Sequence, residues 1–284
     1  MAKHIIVAPK AGFCLGVSLA LKKLDNCLAK AKSKPITTLG PIIHNPQVLE
    51  KYQKQGVIIK EDYTQIKTGE TVLIRAHGVP KEVEDYLRQK QVKIIDATCP
   101  KVKKAQILIR KYTQNAILLL YGEREHPEVK GLISYAQNQV VLFESLEQLR
   151  QLRLDPQKFY VLASQTTQNQ EEFKTIQNYL YANQIRPKII NTICTATAER
   201  QAAALQLAQT VDFMIVIGGK MSGNTRRLAQ IVAQYVPTVH IETAQELSLE
   251  MIAPYNKIGL TAGASTPQSI IEEVQTWLKT QTKD

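Results

Sequence analysis

The strongest constraint on the fold is an alternation of short β-rich runs with segments of helical spacing, which continues along the whole chain. Several runs are continuously apolar, such as AILLLY at 116–121 and FMIVIGG at 213–219. Such runs are typical of strands buried on both faces of a parallel sheet. The alternation therefore predicts an α/β fold with parallel sheets and right-handed crossovers. Strands are predicted at 4–8, 36–40, 57–60, 71–76, 93–97, 116–122, 140–143, 159–164, 188–193, 213–219, 239–242 and 257–263.

Three of the four cysteines, Cys14, Cys99 and Cys194, lie between a predicted strand and a predicted helix. They follow one another at intervals of roughly 90 residues, and each interval holds about four strands. This spacing predicts three similar α/β units with small parallel sheets, although it does not assign the strand before each cysteine to either neighbouring unit. The predicted units are 14–98, 99–193 and 194–284, the last together with 1–13.

The three cysteines differ in setting from the fourth, Cys27, which shares an apolar helical stripe with Val17, Leu21 and Leu24 and is predicted to be a core residue. A thiol at a helix N-terminus has a lowered pKa, which suits metal binding. One cysteine before a helix is most often a small buried residue, but three in equivalent positions favour metal ligands. Three ligands leave one coordination position for a substrate, and the sequence does not separate zinc from an iron–sulfur cluster.

The bulk composition restricts the class of partner. The chain has 36 basic and 25 acidic residues and a net charge of +11, which favours an anionic ligand. The charges are dispersed and aromatic residues are only 6%, so nucleic acid is not a predicted partner. No apolar run reaches the roughly 18 residues that cross a bilayer, and four cysteines are too few for a disulfide framework. We predict a cytoplasmic protein without a membrane partner.

Polar side chains recur at the ends of predicted strands, where parallel sheets bind ligands. Histidine, serine and asparagine at these turns form a neutral-to-cationic hydrogen-bonding set suited to a phosphate or diphosphate. The set contains His44, His77, His126, Ser222, Asn224 and Ser265, and Thr166 lies at an equivalent turn. An isolated histidine at such a turn could equally cap a helix.

The tripeptide at 126–128, His-Pro-Glu, has the greatest potential for acid–base chemistry because proline fits the first helical position between His126 and Glu128. Glutamate in a first turn is commonly only a partner of the helix dipole, which lowers its pKa. A proton donor at this position needs a raised pKa instead. The chain contains neither a dinucleotide-binding glycine motif nor a P-loop, so electrons for any redox reaction must come from a separate redox protein.

Nine motifs, in order from about residue 5 to 275, resemble the LytB family of 4-hydroxy-3-methylbut-2-enyl diphosphate reductases. They are GFCLGV, GPIIHNPQV, AHGVP, DATCPKV, HPEVKG, SQTT, TICTATAERQ, SGNTRRL and TAGASTP. The resemblance implies a pseudo-threefold trefoil of three α/β units around one [4Fe–4S] cluster, held by Cys14, Cys99 and Cys194.

The resemblance also implies roles for the polar loops. Glu128 would deliver the proton that lets the C4 hydroxyl leave as water, and Thr166 would orient that hydroxyl. His126 would join the proton relay near the diphosphate. The diphosphate-binding residues would be His44, His77, Ser222, Gly223, Asn224 and Ser265. Two sites depart from the common family pattern: Gly223 replaces a serine and offers only its backbone N–H, and Ala11, beside Lys10, replaces an arginine.

The implied reaction is a two-electron reduction that yields isopentenyl and dimethylallyl diphosphate in the methylerythritol phosphate pathway, with ferredoxin or flavodoxin as electron donor. Three alternatives are less well supported by the sequence. A zinc-dependent hydrolase with three cysteine ligands would act on a phosphorylated small molecule and need no donor. An iron–sulfur carrier or sensor would need a fourth cysteine ligand, and a nucleic-acid-binding module would explain only the charge.

Overall fold

The computed structural model describes residues 3–30 and 35–281. Within these ranges the chain forms twelve strands and eleven α-helices in alternation, which confirms the predicted α/β class. The strands are β1 (His4–Val7), β2 (Ile36–Leu39), β3 (Ile58–Lys60), β4 (Thr71–Ile74), β5 (Lys93–Asp96), β6 (Ile117–Tyr121), β7 (Val140–Phe143), β8 (Tyr160–Ser164), β9 (Lys188–Ile189), β10 (Phe213–Ile217), β11 (Thr238–Ile241) and β12 (Lys257–Ala262). Each predicted strand is therefore present, although β9 is much shorter than predicted.

Most of the helices connect parallel strands of one sheet, whereas α1, α4 and α8 lead from one sheet to another and α11 follows β12. They are α1 (Leu15–Lys30), α2 (Pro46–Lys54), α3 (Lys81–Gln89), α4 (Pro100–Tyr112), α5 (Pro127–Ser134), α6 (Leu146–Gln151), α7 (Gln170–Ala182), α8 (Thr195–Ala208), α9 (Gly223–Val232), α10 (Leu249–Ile252) and α11 (Gln268–Gln281). Short 3₁₀ helices occur at Tyr63–Gln65 and Ala244–Glu246. None of the helices in the described ranges is both long and apolar enough to cross a bilayer.

The strands form three all-parallel sheets of four strands with one common order. Sheet 1 has the order β3-β2-β4-β5, sheet 2 has β7-β6-β8-β9, and sheet 3 has β11-β10-β12-β1. In each sheet the strand that precedes a cysteine is an edge strand: β5, β9 and β1 pair with β4, β8 and β12. The strand before each cysteine is thus assigned to a sheet, a choice that the sequence leaves open.

The chain divides into two compact units. The first contains Met1–Ser18, Ile43–Glu50 and Thr195–Asp284, and it holds sheet 3. The second contains Leu19–Ile42 and Lys51–Cys194, and it holds sheets 1 and 2. The division into three units at the cysteines stays a prediction.

The continuously apolar run of β6 is explained by burial on both faces of sheet 2. Leu118 and Leu120 pack with residues of α4 and α5 on one face. Leu119 and Tyr121 point to the opposite face and pack with residues of α7. Successive side chains of a strand point to opposite faces, so a strand covered by helices on both sides requires apolar residues at every position.

Sheet 3 is covered in the same way. Met214 and Val216 of β10 pack with α8 and α9, whereas Ile215 and Ile217 pack with α11. All four side chains are fully buried. The carboxyl ends of the strands therefore remain the accessible edge on which loop residues can meet a ligand.

Beyond the short strand β9, the N–H of Ile190 still donates to the Leu162 carbonyl (2.8 Å), and the next contact with β8 is made by a side chain. The Thr192 hydroxyl accepts a hydrogen bond from the Ser164 N–H (2.7 Å) and donates one to the Ser164 carbonyl (2.6 Å). Thr192 is buried, and it lies two residues before Cys194. This contact fixes the segment that leads into Cys194 against the end of β8.

Replacement of Thr192 by valine is expected to lower the free energy of unfolding by about 1–3 kcal/mol, because it leaves two buried backbone groups of Ser164 without this partner. Thr192→Ser, which keeps the hydroxyl, is the matched control and should lose much less. Urea titrations followed by circular dichroism measure both. Equal midpoints for the two variants would contradict a role for the hydroxyl.

Candidate active site

The three cysteines predicted to bind metal share one backbone geometry. Each lies immediately before a helix, at the start of α1, α4 or α8. Each backbone N–H donates to a carbonyl just beyond the end of the adjacent strand of its own sheet. These hydrogen bonds are Cys14 to Ala264 (3.1 Å), Cys99 to Ala76 (2.9 Å) and Cys194 to Thr166 (2.9 Å). Three chain segments unrelated in sequence position thus place a thiol in the same way.

Cys14 also has surroundings that suit a metal ligand. All four cysteines are reduced and partly exposed. The N–H of Val17, in the first turn of α1, donates to Cys14 Sγ at 3.4 Å, so the helix terminus supplies a hydrogen bond as well as its dipole. Burial raises the pKa of the Cys27 thiol instead, in the middle of α1. The three helix-terminal thiols thus differ from Cys27, which lies inside a helix.

Glu128 is a buried carboxylate whose oxygens are both hydrogen-bonded to one residue. Its side chain is 2% exposed. Thr166 donates its backbone N–H to Oε1 (2.6 Å) and its hydroxyl to Oε2 (2.9 Å). Because the Thr166 carbonyl accepts the N–H of Cys194, a continuous path of hydrogen bonds joins Glu128 to that cysteine. The structure thus brings Glu128, Thr166 and Cys194 together.

Burial and the helix dipole shift the pKa of Glu128 in opposite directions, and burial has the larger effect. Burial raises the pKa of the Glu128 carboxyl to about 7, the two Thr166 hydrogen bonds oppose this rise, and the nearby charge of Glu123 adds to it. The carboxyl therefore holds a proton over part of the physiological pH range. A group with these properties can serve as a general acid.

His126 caps the helix that carries Glu128. Its Nδ1 accepts the N–H of Glu128 at 3.1 Å, with Pro127 at the first helical position. A ring nitrogen that accepts a hydrogen bond carries no proton, so a neutral His126 has its proton on Nε2 and is a donor there. The His77 ring meets the His126 ring edge-on, with centroids 5.4 Å apart. His126 thus contacts the candidate acid directly, and His77 contacts His126.

In the first compact unit, the predicted polar residues gather at the carboxyl end of sheet 3. Ser222 is the N-cap of α9 and accepts the N–H of Thr225, which leaves the N–H groups of Gly223 and Asn224 at a helix terminus without intrahelical acceptors. The amide nitrogen of Asn224 is buried and has no hydrogen-bond partner among the described residues. A buried donor without a protein partner is expected where a ligand supplies the acceptor.

His44 is held at the same edge through its backbone. The Ser265 hydroxyl donates to the His44 carbonyl at 3.2 Å. A side chain at Gly219 would place its Cβ only 2.5 Å from that carbonyl oxygen, so glycine is required for this close approach. The positions of His44 and Ser265 are therefore coupled.

Arg200 is a site residue that sequence reasoning misses. It is 3% exposed, and it donates to the carbonyls of Lys10 (3.0 Å) and Gly12 (2.8 Å), just before Cys14. Lys10 and Gly12 both have positive φ (66° and 95°), so this loop is strained backbone that Arg200 stabilises. The guanidinium beside this loop is thus supplied by α8. Only burial would have distinguished Arg200 from a surface arginine.

Comparisons with known proteins identify the family to which the chain is related. Residues 5–279 match a family model described as "LytB protein". The protein named 4-hydroxy-3-methylbut-2-enyl diphosphate reductase from Solidesulfovibrio magneticus is 51% identical and aligns over 95% of this chain and 97% of its own. Its namesake from Oleidesulfovibrio alaskensis is 49% identical over 97% and 99% of the two chains. The structure of E-1-hydroxy-2-methyl-but-2-enyl-4-diphosphate reductase from Plasmodium falciparum has a TM-score of 0.91 and 29% identity, over 99% of this chain and 88% of that one.

The Glu128 carboxyl is expected to titrate near pH 7. Its pKa is higher in the folded protein than the ordinary value of 4.5, so ionisation lowers stability as the pH rises from about 4.5 to about 7. Infrared spectra against pH should show a protonated carboxyl band that disappears around neutrality and is absent in Glu128→Gln. Glu125→Gln, at an exposed position, should retain the band; a band that disappears below about pH 5 would contradict the raised pKa.

Proposed function

The chain belongs to the LytB protein family, and we propose that it is a 4-hydroxy-3-methylbut-2-enyl diphosphate reductase of the non-mevalonate route to isoprenoids. Two electrons and two protons remove the C4 hydroxyl of the substrate. One proton leaves with the hydroxyl as water, and the other is added to the allylic carbon skeleton. The products are isopentenyl and dimethylallyl diphosphate. Within the candidate site, the observation that best supports this assignment is the buried Glu128–Thr166 pair and its hydrogen-bonded link to Cys194.

Members of this family have a metal cofactor. We propose that it is one [4Fe–4S] cluster held by Cys14, Cys99 and Cys194, and the equivalent placement of the three thiols supports this choice. When bound, such a cluster supplies an iron with an open coordination position and a route for electrons. The alternative, a zinc-dependent hydrolase with the same three ligands, is not favoured because every named relative reported above is a reductase.

Glu128 is the proposed general acid, and Thr166 is its relay to the substrate hydroxyl. When Glu128 is ionised, the Thr166 hydroxyl donates to Oε2. When Glu128 is protonated, the direction reverses: the acid donates to Thr166 Oγ1, and the hydroxyl hydrogen of Thr166 is released toward the substrate. The raised pKa of Glu128, about 7, allows both states near neutral pH. His126, protonated on Nε2, would complete the relay toward the diphosphate.

The diphosphate is proposed to bind to the N-terminus of α9 and to the predicted polar side chains. The N-terminus of α9 offers N–H groups at Gly223 and Asn224, and a helix N-terminus favours an anion. The buried Asn224 amide supports this role because it lacks a protein acceptor among the described residues. The remaining proposed ligands are His44, His77, His126, Ser222 and Ser265. Gly223 lacks the hydroxyl that a serine would add, so this position can offer the diphosphate only its backbone N–H.

The electrons are proposed to come from a separate protein such as ferredoxin or flavodoxin, because the sequence contains no nucleotide-binding motif. We propose a cytoplasmic location, since a set of reduced thiols that binds a cluster suits a reducing compartment. Neither nucleic acid nor a membrane is part of the proposed activity.

Anaerobically purified protein should contain about four irons per chain and should reduce 4-hydroxy-3-methylbut-2-enyl diphosphate with reduced methyl viologen as electron source. Cys99→Ser should lose most of the iron and the activity. Cys27→Ser is the matched control and should keep both, because Cys27 lies in the middle of α1. Stoichiometric zinc in place of iron would overturn the reductase and favour the hydrolase.

Glu128→Gln should retain substrate affinity and iron content but lower kcat by a factor of 10² or more, since the amide keeps the volume and removes the acid. Glu125→Gln, two residues before the Pro127 that starts α5, is exposed and should be unaffected. Single-turnover kinetics with methyl viologen and a separate binding titration distinguish chemistry from affinity. A kcat within twofold of wild type would remove Glu128 from its role.

A further inference from the structure

Three helices begin at the three cysteines, and one of them differs sharply in charge. Helix α4, which follows Cys99, contains five basic and no acidic residues in PKVKKAQILIRKY. Helix α8 has one glutamate and one arginine, and α1 has three lysines and one aspartate. The positions of the thiols do not require this difference. The basic face of α4 is therefore unexplained by metal binding.

The exposed face of α4 has an apolar centre with cations around it. Ile107, at the centre of this face, is 60% exposed. Lys103, Arg110 and Lys111 surround it at helical spacing and are at least partly exposed. An apolar contact with a charged rim is the arrangement of a protein–protein interface.

This face lines a groove of about 680 Å³ between α4, α3 and the end of α5. The two carboxylates in the groove are already neutralised: Asp85 pairs with Lys81 (2.6 Å), and Glu84 pairs with Arg88 (2.6 Å). Arg110 and Lys111 form no ion pair with any residue in 3–30 or 35–281. The groove thus presents uncompensated positive charge.

The face is also connected to the proposed metal site by the helix itself. Ile107 is eight residues after Cys99, which corresponds to about 12 Å along the axis of α4. Electron transfer weakens steeply with distance, so a donor must dock near a metal ligand. A partner seated on this groove would approach the cluster along the helix that begins at Cys99.

We propose that the groove beside α4 is the docking surface for a small acidic electron-transfer protein. This inference rests on the proposed reductase activity. The partner delivers two electrons per turnover, one at a time, and leaves oxidised by one electron on each visit. Its carboxylates would meet Arg110 and Lys111, and an apolar residue would cover Ile107. Charge complementarity of this kind raises the association rate and decreases with salt.

The test compares two electron sources on the same holoenzyme. The first is an acidic [2Fe–2S] ferredoxin kept reduced by NADPH and ferredoxin reductase, and the second is reduced methyl viologen, which needs no docking surface. In Arg110→Glu/Lys111→Glu, the KM for ferredoxin should rise at least tenfold at low salt, while kcat with methyl viologen stays within twofold. Ile107→Ser should raise the same KM without changing the charge.

The matched control is Lys158→Glu/Lys174→Glu, which makes the same change in net charge at two exposed lysines outside the groove. Its KM for ferredoxin should stay within about twofold of wild type. A groove variant that behaves like this control would overturn the proposal, and so would a wild-type enzyme that turns over with methyl viologen but shows no saturation by ferredoxin. Loss of turnover with methyl viologen in the wild type would instead contradict the reductase activity, which separates the two failures.

Discussion

The hydrogen bond from each cysteine N–H to the end of the adjacent strand is the interaction on which the candidate site depends. It fixes the point at which the chain leaves a sheet edge and enters a helix, and it does so three times with nearly equal length. The polar loops lie at the same carboxyl edge of each sheet. A sheet edge therefore positions both a thiol and the candidate ligand-binding residues near it. Cys194 shows this most directly, since its acceptor is the carbonyl of Thr166, whose N–H and hydroxyl hold Glu128.

Glu128 shows which of two opposing physical effects dominates at a helix terminus. The dipole of α5 and the hydrogen bonds from Thr166 favour the carboxylate, as they do for many first-turn glutamates. Full burial acts in the opposite direction and is the larger effect, so the pKa is raised to about 7. Glu125, three residues earlier, is exposed and lacks this environment. The raised pKa at this turn therefore arises from desolvation more than from sequence position.

The sequence was sufficient for the strands, the α/β class and the loops that carry the candidate residues, because strands buried on both faces have a distinct pattern of continuous apolar residues. It could not reveal the partners of Thr192 or Arg200. Both are polar residues of ordinary appearance, and their importance follows from burial beside backbone groups far away in sequence. The unpartnered Asn224 amide is likewise visible only from its surroundings. The length of β9 was overestimated because, after Ile190, the Thr192 hydroxyl takes the place of backbone groups in the contact with Ser164.

The pairing of β1 with β12 has a consequence for how the protein is made. Sheets 1 and 2 are composed of strands that are consecutive in the chain, so each can form soon after its segment leaves the ribosome. Sheet 3 contains the first and the last of the described strands, with His4 opposite Lys257. The strand β1 therefore stays unpaired until β12 has been synthesised. Since the N–H of Cys14 donates to the carbonyl of Ala264, Cys14 reaches its final position only after that residue is present, later than Cys99 and Cys194, and a centre that uses Cys14 cannot be completed before then.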